Sequence, residues 1–133
     1  MTHILVVEDD AVNALLFRMI LEKRGGHRVT VTESPDEVIA AVSAGTVDLV
    51  IMDISLSHSR YLGQPINGVE LCRLLKADPR CAATPVVLAT AHAMRGDGES
   101  LLRDSGANDY VAKPIIDHAE FMDQIRRNLE EAA

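Results

Sequence analysis

Apolar positions alternate along the chain between two spacings. Five short runs of β-branched character stand apart from the rest: Ile4–Val7, Val29–Thr32, Val47–Met52, Val86–Thr90 and Tyr110–Ala112. The first, third and fourth are nearly continuous in apolar residues, which predicts strands buried on both faces of a parallel sheet. Between the runs the spacing lengthens to that of helices. Val12, Leu15, Leu16 and Met19 fall at i, i+3, i+4 and i+7, predicting an amphipathic helix over about 11–24 whose apolar stripe they form. Gly25-Gly26 ends it. Ser34-Pro35-Asp36-Glu37 reads as a capping box with Pro at the first helical position, opening a helix that carries Val38, Ile39 and Val42 and ends near Gly45. Leu71, Leu74 and Leu75 mark a third helix closed by Asp78-Pro79. Leu101 and Leu102 mark a fourth, closed by Gly106. Asp117 caps a fifth, with Glu120 as its box partner and Phe121, Ile125 and Leu129 on one face.

Strand and helix thus alternate five times, with no other repeat and no linker. Such alternation implies right-handed crossovers and a sheet covered by helices on both sides. A closed eightfold barrel needs about 250 residues, so the expected fold is α/β, a doubly wound five-stranded parallel sheet of flavodoxin-like (βα)5 type with strand order 2-1-3-4-5. Composition fits a single domain: 133 residues, 47% hydrophobic and 25% charged. A net charge of −7 argues against nucleic acid or an anionic membrane as a partner. No apolar run approaches the ~20 residues of a membrane span, and the N-terminus lacks the features of a signal peptide. Cys72 and Cys81 are read as reduced thiols of a cytoplasmic protein, with Cys72 a packing residue.

In the 2-1-3-4-5 order, ligands bind beyond the C-terminal ends of strands 1 and 3. Strand 1 runs into Glu8-Asp9-Asp10, and strand 3 into Asp53. Asp10 reads as a helix cap. Acid at both strand ends calls for a proton or a cation, and hard oxygen ligands without Cys or His suggest Mg²⁺ rather than zinc. Strand 4 ends in Thr90, and strand 5 runs into Lys113-Pro114. A hydroxyl and an ammonium on one rim with carboxylates suit an added phosphoryl group.

These residues resemble the receiver domains of two-component response regulators. The resemblance covers residues 3–130 and rests on Ile4-Leu5-Val6-Val7-Glu8-Asp9-Asp10, Leu49-Val50-Ile51-Met52-Asp53, Val87-Leu88-Ala89-Thr90-Ala91 and Asp109-Tyr110-Val111-Ala112-Lys113-Pro114, in that order. It implies that Asp53 is the phosphoacceptor. Glu8, Asp9, Asp53 and the backbone carbonyl of Ser55 would hold Mg²⁺ (or Mn²⁺). Lys113 would pair with the acceptor and then with phosphoryl oxygens, and Thr90 would move toward the phosphoryl group with Tyr110 following it. Tyr110 could equally be a surface aromatic. The Lys113-Pro114 bond is often cis in this family. Ser55 and His92, two positions after Asp53 and Thr90, would tune dephosphorylation, although His92 could simply be an exposed residue at a helix start. The donor would be a histidine kinase or histidine phosphotransfer protein, and the output a downstream protein target.

The sequence departs from the family after Asp53. Ser57 stands where Pro is common, and the connection to Gly68 is extended at about 56–67. The extra residues are expected to form a solvated surface insertion, the alternative being a flap or partner-recognition element motivated by Arg60 and Tyr61. Two other functions compete. A haloacid-dehalogenase-like phosphatase would need a second Asp at position 55, where Ser stands. A phosphorylation-independent interaction module would have lost part of the acidic, Thr and Lys set. The expectation is therefore a single receiver domain over 1–133 that catalyses only its own phosphorylation and dephosphorylation, with no effector domain.

Overall fold

The computed structural model describes residues 1–91 and 97–132. In chain order the elements are β1 (His3–Val7), α1 (Ala11–Gly25), β2 (Arg28–Thr32), α2 (Pro35–Ser43), β3 (Leu49–Asp53), β4 (Arg60–Tyr61), β5 (Gln64–Pro65), α3 (Gly68–Ala77), β6 (Val86–Thr90), α4 (Asp97–Ser105), β7 (Asp109–Ala112) and α5 (His118–Ala132). The large sheet is parallel throughout, in the order β2-β1-β3-β6-β7. With the short β4–β5 pair set aside, this is the predicted 2-1-3-4-5 order.

The near-continuous apolar runs are explained by the two faces of that sheet. Ile4, Val6, Leu49, Ile51, Val87 and Ala89 pack with Phe17, Ile20 and Leu21 of α1 and Phe121 and Ile125 of α5. Leu5, Val7, Val50, Met52 and Leu88 pack with Val38 and Val42 of α2 and Leu71, Cys72 and Leu75 of α3. Successive strand residues point to opposite faces, so a strand sandwiched between helices must be apolar at every position. Each such side chain contributes about 1.5–3 kcal/mol on full burial. Burial pushes the Cys72 thiol up to about 11, consistent with a packing role rather than reactivity.

The predicted cap residues of α2 and α5 each accept an amide, but neither is shown closing a reciprocal box. Ser34 accepts the Glu37 amide, but the Glu37 carboxylate takes the Thr32 hydroxyl instead of closing the box. The Ser34 amide donates to that same hydroxyl oxygen. The reciprocal box occurs at α3, between Asn67 and Glu70. Asp117 accepts the Glu120 amide at the start of α5.

One expectation is corrected and a second is refined. Of the predicted stripe of α1 only Leu16 packs against the core, while Val12, Leu15 and Met19 are 77%, 58% and 42% exposed. The buried residues are Ala14, Phe17, Ile20 and Leu21. These too recur at a helical spacing, so periodicity alone does not choose between the two sets. The buried face is the one that carries Phe17, which meets Phe121 of α5 with ring centroids 5.8 Å apart.

The second concerns the connection after Asp53, which is largely exposed as a surface insertion should be but forms a hairpin tethered at its base. β4 and β5 pair antiparallel around Leu62 and Gly63, at φ 53° and 80°, the positive values a two-residue hairpin turn requires. Its tip and several residues of its arms, Ser57, His58 and Arg60 among them, are exposed. At the base Leu56, Ser59 and Ile66 are buried. The Ser59 hydroxyl donates to the Glu33 carbonyl just past β2, and the Ile66 amide donates to the Ser59 carbonyl. Tyr61 packs against the α2/α3 side of the core. Buried apolar residues on both arms pull the segment onto the body of the protein.

Candidate functional site

The sheet brings its ionisable groups together at one edge. β1 and β3 are neighbours in register, Val7 opposite Met52, so Glu8, Asp9 and Asp53 leave adjacent strands side by side. Glu8 and Asp53 are buried. One carboxylate oxygen from each of Glu8, Asp9 and Asp53 lies within 4.8 Å of the others. β6 and β7 bring the remaining groups. Thr90 pairs with Ala112 across the ladder, and the Lys113 amide donates to the Thr90 carbonyl at 2.8 Å. The Lys113-Pro114 bond is cis. The Lys113 ammonium reaches Glu8 Oε2 and Asp53 Oδ1, each at 3.1 Å.

α3 fixes the exit of β3. Its first residue, Gly68, donates its amide to the Ile54 carbonyl. A Cβ at Gly68 would collide with the Asp53 carbonyl, so only glycine lets α3 press this closely on the residue that carries the acid. Asp53 Oδ1 also accepts the Ser55 amide at 3.1 Å.

The charges do not balance. Three carboxylates face one ammonium. Burial, the charge of Asp53 and their shared hydrogen bond push the Glu8 carboxyl up to about 7, against the opposing pull of Lys113. Lys113 is desolvated by burial, which alone would lower its pKa, but its bonds and charge interactions with Asp53 and then Glu8 hold it above the ordinary lysine value. The Asp9 carboxyl is also partly desolvated, yet two hydrogen bonds from Ser57 hold it below the usual range. A cluster of hard oxygen donors carrying excess negative charge fits a divalent cation of the Mg²⁺ class.

The remaining predicted residues take varied positions. Asp10 is the helix cap expected, its carboxylate accepting the Val12 and Asn13 amides. Ser55 is exposed beside Asp53. Tyr110 is half-buried rather than free on the surface, with its ring seated on α4 where Gly98 has no side chain. His92 lies outside the described residues. Sequence reasoning missed Ser57 as a partner of Asp9: its amide and hydroxyl donate to Asp9 Oδ2 at 2.9 and 2.7 Å. The only signal was that Ser57 opens the extended connection, and spacing does not show where a hairpin foot lands.

Comparisons with known proteins agree with this geometry. The model of the response regulator receiver domain family matches residues 4–126. The polar-differentiation response regulator DivK of Brucella ovis is 34% identical over 112 residues, covering 84% of each chain. Among solved structures, the receiver domain of the sensor histidine kinase PA1611 from Pseudomonas aeruginosa PAO1, with a magnesium ion coordinated in its active-site cleft, superposes with a TM-score of 0.79 at 27% identity, covering 97% of this chain and 98% of that one. The receiver domain of NtrX from Brucella abortus gives 0.75 at 28% identity over 96% and 98%. With the family model spanning nearly the whole chain and the acidic, Thr and Lys groups gathered on one edge of the sheet, the protein belongs to the response regulator receiver domains of two-component signalling.

Proposed function

We propose that Asp53 accepts a phosphoryl group from a phosphohistidine on a histidine kinase or histidine phosphotransfer protein, and that the aspartyl phosphate switches a protein-binding surface. The observation that carries this reading is the buried Asp53 carboxylate, held 3.1 Å from the Lys113 ammonium within a cluster of three carboxylates. A carboxylate oxygen of Asp53 attacks phosphorus, the P–N bond to the donor imidazole breaks, and the leaving nitrogen keeps the electron pair. The transition state is loose, so positioning and charge neutralisation supply most of the catalysis. Mg²⁺ (or Mn²⁺), held by Glu8, Asp9, Asp53 and the Ser55 carbonyl, would supply charge neutralisation and orientation of the phosphoryl oxygens.

Lys113, already on Asp53, transfers its donor to a phosphoryl oxygen as charge builds there. Thr90 donates its hydroxyl to another, and Tyr110 follows Thr90. Each charge-assisted bond contributes about 1.5–3 kcal/mol, a shift of roughly ten- to a hundredfold between two states of the partner surface. Ser55, exposed beside the acceptor, tunes how water reaches the phosphoryl group, a role its counterpart His92 would share.

A protein donor also needs a place to dock. Leu15 lines one groove with Glu8 and Asp9, so the exposed apolar stripe of α1 begins at the rim of the site. No helix among the described residues is long and apolar enough to cross a membrane.

Incubation with acetyl phosphate and Mg²⁺, read by intact-protein mass spectrometry, tests the reading. Wild type gains one covalent phosphate and Asp53→Asn gains none. Equal labelling of the two proteins overturns the assignment. The decay of the label after removal of acetyl phosphate, compared with a Ser55 variant, reads the tuning role of Ser55.

A further inference from the structure

We propose that Ser57, at the foot of the hairpin, is a positioning residue for the Asp9 carboxylate, so that the hairpin sets the metal affinity of the site. This rests on the reading above that the acidic cluster takes Mg²⁺.

Ser57 and Asp9 are 48 residues apart in sequence, yet both donors of Ser57 converge on a single oxygen, Oδ2, with the amide at 2.9 Å and the hydroxyl at 2.7 Å. Ser57 is exposed, and an exposed serine hydroxyl has water as its ordinary partner. Here it adds a second donor where the backbone already supplies one. Two donors on one oxygen fix the rotation of a carboxylate about its terminal torsion, which is otherwise broad. Asp9 needs that help more than its neighbours do. Asp53 is fixed by Lys113 and the Ser55 amide, and Glu8 by Lys113 and the Asp10 amide. Asp9 is the least buried of the three, and the ring of His58, 3.8 Å from its carboxylate and 3.1 Å from the Ser57 hydroxyl, belongs to a side chain that is 82% exposed.

The direction of control follows from what holds Ser57. The preceding Leu56 is buried, and two residues later the buried Ser59 is tied to the Glu33 carbonyl. Ile66 on the returning arm is buried and donates its amide to Ser59. The backbone at Ser57 is therefore placed by the hairpin base and would stay in place without Asp9. The hairpin holds the carboxylate, and Asp9 does not hold the hairpin. Partners that orient a metal ligand are commonly worth ten- to a hundredfold in affinity. Ser57→Ala keeps the amide donor and so falls at the weaker end.

Calorimetric titration of the full chain with MgCl₂ tests the proposal without any phosphorylation step. Ser57→Ala should bind Mg²⁺ about tenfold more weakly than wild type, and Ser57→Thr, which restores the hydroxyl, should recover most of the loss. Equal or tighter binding by Ser57→Ala overturns the proposal. So does a Ser57→Thr protein as weak as Ser57→Ala, because the loss would then come from the hairpin's shape and not from the hydroxyl. Wild type that binds no Mg²⁺ overturns the metal reading of the site itself, and the role of Ser57 with it.

Discussion

At Glu8, burial and crowding by a second carboxylate act on the same group. Its carboxyl is pushed from 4.5 up to about 7. The folded state thus binds a proton at Glu8 more tightly than the unfolded chain does. The associated stabilisation is fully present below pH 4.5 and is lost as pH rises through about 7. In metal-free protein this residue should cost on the order of a few kcal/mol at neutral pH. Glu8→Gln removes the ionisation while keeping the shape. Denaturant unfolding in EDTA should show the variant more stable than wild type at pH 7, with the difference shrinking as pH falls toward 4.5. A gap that widens on acidification would contradict the burial argument. The same residue couples metal to protons, since a cation needs the ionised form and binding near neutral pH should release a proton. The acidic residues themselves were legible in the sequence because a charge directly after a buried strand is conspicuous. Their protonation was not legible, because it depends on the distance between two strand ends that are 45 residues apart.

Among the elements, α3 and the hairpin decide how the site is built. Gly68 lets the start of α3 sit against the Asp53 carbonyl, and a methyl group there would force the two apart. Gly68→Ala should therefore lose roughly 1–3 kcal/mol of stability through overpacking. Because the displaced partner is the backbone of Asp53, it should also weaken Mg²⁺ binding. A variant with lowered stability and unchanged metal affinity would show that the backbone relaxes away from the site. Sequence pattern located α3 and the family resemblance its opening glycine, but neither gave the reason for the glycine, which is a contact between segments. The α1 helix carries the same lesson. Its extent was legible, while its buried face was fixed only when Phe17 found Phe121. The extended connection had no periodicity to read, and its hairpin form depends on Leu56, Ser59 and Ile66 finding places against the core.

Across the whole molecule, the site lies where the exits of β1 and β3 meet those of β6 and β7, and a bound cation would tie the exit of β1 to that of β3. Binding to the folded state alone stabilises it by mass action, about 2.7 kcal/mol at a hundred times Kd. Saturating Mg²⁺ should accordingly raise Tm by several degrees, and by less in Asp53→Asn, which lacks one ligand charge. A Tm unmoved by Mg²⁺ in wild type would argue that the cation does not bind the folded site. With a net charge of −7, part of any effect of added salt is screening of self-repulsion. The same ionic strength of NaCl is therefore the comparison.

The sequence by itself determined the class of fold, the strand order, and the identity of Glu8, Asp9, Asp53, Thr90 and Lys113 as a set. These follow from local patterns: strands buried on two faces must be continuously apolar, and a doubly wound sheet exposes one particular edge. Tertiary structure decided the rest, because it depends on contacts between distant segments. It chose which face of α1 is buried, turned the connection after Asp53 into a tethered hairpin, raised Glu8 beside Asp53, and set the hydroxyl of Ser57 on the carboxylate of Asp9.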